Sequence, residues 1–176
     1  MGDRAGSLYP LSKVASHESK RGDRKHGLRL TEEALELARE TGNTWWVAGL
    51  LHNLAEMAWE EGELVRAAAL TRECVSVAYE LRNAATLAYG LGLLAALAAA
   101  AGERARAGRL WGAVEALEES GEASLSAESQ ARYEEAILPL SDAALEAGRE
   151  EGHKMSLDEA VEHALRASGS GSSGSS

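Results

Sequence analysis

An all-α, right-handed solenoid of antiparallel helical hairpins, closed by a C-terminal helical cap, is the fold this sequence predicts. Three observations carry that prediction. The chain repeats itself at a shift of forty residues. Its apolar residues recur at i, i+3 and i+4 rather than in alternation, which marks helices and not strands. Ala and Leu are abundant, Phe is absent and only two Pro occur, a composition that favours helix throughout.

The repeat is legible residue by residue. Gly22, Gly62 and Gly102 coincide under the shift, each followed by an acid: Asp23, Glu63 and Glu103. Leu30, Leu70 and Leu110 coincide, as do Ala38 with Ala78, Asn43 with Asn83, Arg66 with Arg106, and Ala67 with Ala107. Such periodicity belongs to stacked supersecondary units, none of which buries its apolar face alone. The expected organisation is three units, over about 4–42, 43–82 and 83–122, a cap over 123–167, and a flexible Gly/Ser tail at 168–176.

Each element follows from its own residues. Unit one opens on an unusually polar helix, "LSKVASHESK". In the middle unit Val47, Leu50, Leu51, Leu54, Ala55 and Ala58 place a helix. Gly62 ends it, since glycine accepts the left-handed conformation a helix C-terminus needs. A second helix covers about 64–81, with Ala67, Leu70, Cys74, Val77 and Ala78 on one stripe. Ala84 to Gly102 contains no charge over nineteen residues, close to a membrane-spanning length. Much of that run is Ala and Gly, which supply little insertion energy, so a buried helix is expected. Trp111, between Leu110 and Val114, reads as core, as does Tyr133 in the cap. Pro139 should kink or break its helix. Of Trp45 and Trp46, one should pack on the preceding unit and the other be partly exposed.

Charge and cysteine usage narrow the function classes. The net charge of −10 argues against nucleic-acid contact by the chain as a whole. Residues 1–29 nevertheless carry seven basic against three acidic side chains, a basic head on an acidic body that reads as a solvated face. Cys74 is the single cysteine, which excludes an intramolecular disulfide and fits a reducing cytosol. Aligned with Ala34 and Val114, it reads as a buried small apolar residue rather than a nucleophile. The start, "MGDRAGSLYP", has no apolar core of a secretory signal, so a cytoplasmic location is expected.

The two-helix unit with Gly, acid and then "RAxxL" resembles a tetratricopeptide repeat lengthened to about forty residues. Downstream, "RLWGAVEALEESGE" (Arg109–Glu122), "ARYEEAI" (Ala131–Ile137) and "EEGHKMSLDEAVEHAL" (Glu150–Leu165) resemble the closing segment of LuxR-type transcriptional regulators and related bacterial signal-transduction ATPases. The resemblance covers roughly 11–167. Gly27 stands where the first unit should have alanine, and the segment before Glu150 is short for the family. The chain has neither a Gly-x-x-x-x-Gly-Lys-Ser/Thr phosphate loop nor an evident helix-turn-helix. The resemblance therefore implies a sensor or scaffold arm, not an enzyme. Its role would be recognition of a protein, a peptide or a small ligand, with no cofactor and no membrane or nucleic-acid contact. Homo-oligomerisation through cut solenoid ends is the alternative role.

The same resemblance implies a concave groove lined by the first helix of each unit. Its middle-unit residues are Gly49, His52, Asn53, Glu56, Trp59 and Glu60. Tyr9, Lys13 and Lys20 flank them on one side, and Tyr89, Gly92 and Ala96 on the other. An aromatic plane beside two carboxylates suits a basic or amidated ligand group. His52 and Glu56, one turn apart, would also suit a small metal-dependent enzyme. Their forty-residue counterparts are Ser12 and Gly92, and Ser16 and Ala96, so the repeat does not require the pair. His-x-x-x-Glu is not the His-Glu-x-x-His of zinc proteases. No catalytic set and no metal set is expected.

Overall fold

The computed structural model describes residues 24–140 and 142–166. Among them are eight α-helices and no strand: α1 (Arg24–Glu40), α2 (Thr44–Glu60), α3 (Leu64–Glu80), α4 (Ala84–Ala100), α5 (Arg104–Glu119), α6 (Ala127–Ile137), α7 (Ala143–His153) and α8 (Leu157–Leu165). A 3₁₀ turn, Leu138–Leu140, follows α6 and contains Pro139. The α-helix thus stops where proline removes a donor. The polar first helix expected for unit one, with Tyr9, Lys13 and Lys20, and the Gly/Ser tail lie outside the described residues.

The architecture is all-helical and repeat-like, and the repeat has a local chemical cause. Helices α1 to α5 begin every twenty residues. At each of the first four ends the backbone N–H of Asn43, Glu63, Asn83 or Glu103 donates to the carbonyl of Ala38, Ala58, Ala78 or Ala98, at 2.8–2.9 Å. That six-to-one bond closes the helix and needs a left-handed residue just before the donor. Gly42, Gly62 and Gly102 supply it at φ +66°, +78° and +78°. The next helix is then capped in alternation. Asn43 and Asn83 accept from the N–H of Trp46 and Thr86, whereas Glu63 and Glu103 make no side-chain cap bond.

Arg82 breaks the glycine series. It holds φ +51° without the freedom of glycine. A side chain in that region costs about 1 kcal/mol or more. Arg82→Gly should therefore raise stability by up to ~1 kcal/mol, read as a higher urea midpoint at unchanged slope. An unchanged or lower midpoint would contradict the strain argument.

Consecutive helices α1 to α5 pack on one another, and α2 also touches α4. Helix α4 is buried on almost every side: twelve of its residues lie in the core. A helix apolar all round needs neighbours all round, and α3, α5, α6 and α8 provide them. The uncharged run therefore centres a protein core, and no described helix is long and apolar enough to cross a membrane. Trp111 and Tyr133 are fully buried, as expected. Cys74 is buried too; its thiol donates to the Ala48 carbonyl at 3.3 Å, and burial pushes its pKa up to about 12. It behaves as a small apolar residue.

The last helices return onto the array. Helix α6 lies on α4, α8 on α3, α5 and α4, and α7 chiefly on α5, in the most extensive pairing among the described helices. Four glycines make that pairing possible. A Cβ built on Gly108 or Gly112 would stand 2.1 Å from the carbonyl oxygen of Leu145 or Arg149. One on Gly148 or Gly152 would stand 2.3 or 2.0 Å from the carbonyl oxygen of Ala105 or Arg109. Two Gly-x-x-x-Gly faces thus meet backbone to backbone. Around them Arg149 grips Glu115 in a two-pronged contact of 2.5 and 2.7 Å.

Candidate functional site

Helix α2 carries the expected groove residues, and its turn-by-turn spacing divides them into two groups. His52, Glu56, Trp59 and Glu60 recur at i, i+4 and i+7 or i+8, so they share one face. In the lower half of that face Glu56, Trp59 and Glu60 meet side chains of α6, while Trp59 and Glu60 also line an open cavity of about 310 Å³ with Arg132, Glu135 and Ala136. Glu56 accepts from the Tyr133 hydroxyl at 2.5 Å through one oxygen and pairs with Arg132 at 2.6 Å through the other. Arg132 also reaches Glu60 at 3.4 Å, and its guanidinium stands over the Trp59 ring at 5.2 Å. Arg24 of α1 pairs with Glu60 from the other side. The Trp59 and Tyr133 rings lie 5.9 Å apart.

The basic group suited to this carboxylate-and-aromatic arrangement is therefore present, and it belongs to the chain itself. A two-carboxylate cradle with an aromatic floor is favourable for a guanidinium because Arg is planar, multiply donating and weakly hydrated. Gly92 lets the segment seat. The Tyr133 ring approaches so closely that a Cβ on Gly92 would fall 2.7 Å from it. In the preceding unit the equivalent position is His52, whose side chain would occupy that space.

The upper half is open as well. Trp45, Trp46, Gly49, Leu50, His52, Asn53, Thr86 and Tyr89 line a cavity of about 230 Å³. Trp45 is 61% exposed, and Trp46 packs against the core shared by α1 and α2, the division expected of the pair. Their rings meet edge to face at 5.5 Å. His52 tilts against Tyr89 at 5.2 Å. Burial lowers the His52 pKa first of all, partly offset by Glu56 and reinforced by Arg132. The imidazole is accordingly neutral near pH 7, and its Nδ1 is buried with no hydrogen-bond partner among the described residues. Tyr89 links the two halves: its ring lines the cavity, while its hydroxyl accepts from the N–H of Ser126, the residue that caps α6.

His52 Nε2 lies 4.0 Å from Glu56, whose two oxygens are already engaged by Tyr133 and Arg132. Among the described residues no group of three or more His, Cys, Asp or Glu is placed to hold a metal ion. Of the expected set, His52, Asn53 and Tyr89 thus line one cavity, Trp59 and Glu60 line another, and Glu56 between them is engaged by Tyr133 and Arg132. Arg132 was missing from that set. The signal that could have found it is Gly92, a vacancy in the groove beside a segment reading Arg-Tyr. Comparison with protein-family models, with curated proteins and with solved structures finds no significant match to this chain.

Proposed function

We propose that this chain is a non-enzymatic recognition module, a tetratricopeptide-like right-handed solenoid of helical hairpins closed by its C-terminal helices. The sensor or scaffold part of a bacterial transcriptional regulator or signalling ATPase is the role that fits the sequence resemblance, with a cytoplasmic location. The observation that carries the reading is the open aromatic cavity of Trp45, Trp46, His52, Asn53 and Tyr89. A concave, largely apolar site with a few convergent polar groups is the ordinary form of a binding site. An exposed Trp beside it is the residue type that most often anchors a partner.

The mechanism is mechanical. A peptide or small ligand entering the cavity touches Tyr89 and His52, and Tyr89 also holds the start of α6. Binding therefore favours one arrangement of α6 over another by as much as its affinity differs between them. The net charge of −10 disfavours direct contact with nucleic acid.

Selection from a random-peptide display library on the intact chain tests the reading. Selected peptides should lose about tenfold or more in affinity on Trp45→Ala and on Asn53→Ala, as anchor residues at an interface do. Peptides that bind both variants as tightly as the parent would place recognition elsewhere and sink it.

A further inference from the structure

A second surface, lined by residues other than those of the Trp45–Tyr89 cavity, continues from the seat of α8. Helix α8 occupies part of it. Its apolar stripe of Ala160, Val161 and Ala164 is buried. Its start is held by the Tyr79 hydroxyl, which donates to Asp158 at 2.6 Å. At its end Arg106 donates to the carbonyls of Ala164 and Arg166 at 3.1 and 2.8 Å. Tyr79 is near the C-terminal end of α3, so α8 runs back along α3 towards its beginning.

The trough continues past the end of α8. Leu64, Val65, Ala68 and Arg72 of α3, with Leu94, Leu97, Ala98 and Ala101 at the end of α4 and Arg106 of α5, line an open cavity of about 320 Å³. Arg106 belongs to both halves, which makes the surface continuous. From Leu64 to Arg72 the open stretch is about 12 Å long at ~1.5 Å per residue, two helical turns. Val65 is 87% exposed and Leu64 39% exposed on this wall. These side chains leave apolar surface uncovered beside the two arginines of the same wall.

The charges identify the occupant. Arg72 pairs with no carboxylate among the described residues, and its Nε is buried without a hydrogen-bond partner. Arg106, which also holds the carbonyls at the end of α8, meets a carboxylate loosely, Glu103 at 3.6 Å. Two guanidinium groups beside an apolar floor complement an apolar stripe flanked by carboxylates, which is the chemistry of α8 itself, with Asp158, Glu159 and Glu162 around its stripe. Residues 168–176 are Ser and Gly only and carry no apolar side chain to fill it. We propose that the open half of this trough docks an acidic amphipathic helix of a partner protein, laid end to end with α8.

The test uses the intact chain and a fluorescein-labelled, hydrocarbon-stapled peptide of the Ser156–Leu165 sequence, SLDEAVEHAL. Saturable binding is expected, weakened by added salt because charge pairing contributes. Val65→Glu and Arg72→Glu should each weaken it about tenfold or more, whereas Val65→Lys should leave it equal or tighter. Trp45→Ala should have no effect, which separates this surface from the groove. Circular dichroism on the exposed-site Val65 variants confirms that folding is retained. Absence of saturable binding, or binding indifferent to the sign of charge at position 65, overturns the proposal. A dimeric parent chain that becomes monomeric on Val65→Glu also overturns it, since the occupant would then be a second copy.

Discussion

Gly112→Leu is expected to abolish the α5–α7 crossing and lower stability by at least ~3 kcal/mol, the upper end of overpacking costs. The reason is what the new side chain meets. A Cβ at Gly112 lies 2.1 Å from the Arg149 carbonyl oxygen and 2.9 Å from the backbone nitrogen of His153. Backbone of a packed helix cannot turn aside as a flexible side chain can, so the helices must separate. Separation also opens the reciprocal contacts at Gly148 and Gly152 and the Arg149–Glu115 pair. Even Gly112→Ala should cost about 2 kcal/mol. Gly49→Ala is the matched control, for that helical glycine has nothing within 4 Å of its built Cβ. Alanine there should be neutral or gain up to ~1 kcal/mol from helix propensity. Urea unfolding followed by far-ultraviolet circular dichroism measures both. Equal midpoints for the two alanine variants would refute the close-approach argument.

Tyr133→Ala is expected to cost about 3–5 kcal/mol, as for other fully buried aromatics. It removes a ring packed on Gly92 and Trp59 and the hydroxyl donor to Glu56, whose side chain is only 14% exposed. Loss of the donor leaves a partly desolvated carboxylate with Arg132 as its remaining close partner. Tyr133→Phe isolates that second component and should cost about 1–2 kcal/mol. A double-mutant cycle of Tyr133→Phe with Glu56→Gln should show coupling of about 1 kcal/mol or more, because the groups touch. Gly92→His, which copies the residue forty positions earlier, should expel the ring and reproduce the alanine phenotype by the opposite route. Additivity in the cycle, or a Tyr133→Ala chain as stable as the parent, would show that α6 is not anchored through this residue.

These two sites also show where reading the sequence stopped short. The Gly-x-x-x-Gly spacing at 108 and 112, and again at 148 and 152, is visible in the chain. Each pair alone reads as two more glycines in helical segments. Only their reciprocal meeting, with each glycine facing the other helix's backbone, makes them a contact. Likewise the aromatic-and-carboxylate chemistry of Glu56, Trp59 and Glu60 was legible as a place for a basic group. That the basic group is Arg132 depends on a helix seventy residues downstream folding back onto α2.

What the residues determined unaided was decided within a turn or two of helix: the all-α class, the helix that opens after Asn43, and its end at Gly62. Those bonds join residues three to five positions apart, so each is settled by its own neighbourhood. What the tertiary structure alone decided is which of these α2 side chains find partners inside the chain. Tyr133 and Glu56 are separated by 77 positions. Their meeting required room at Gly92, a return path through α6, and the packing of both against α4, none of which a local pattern encodes.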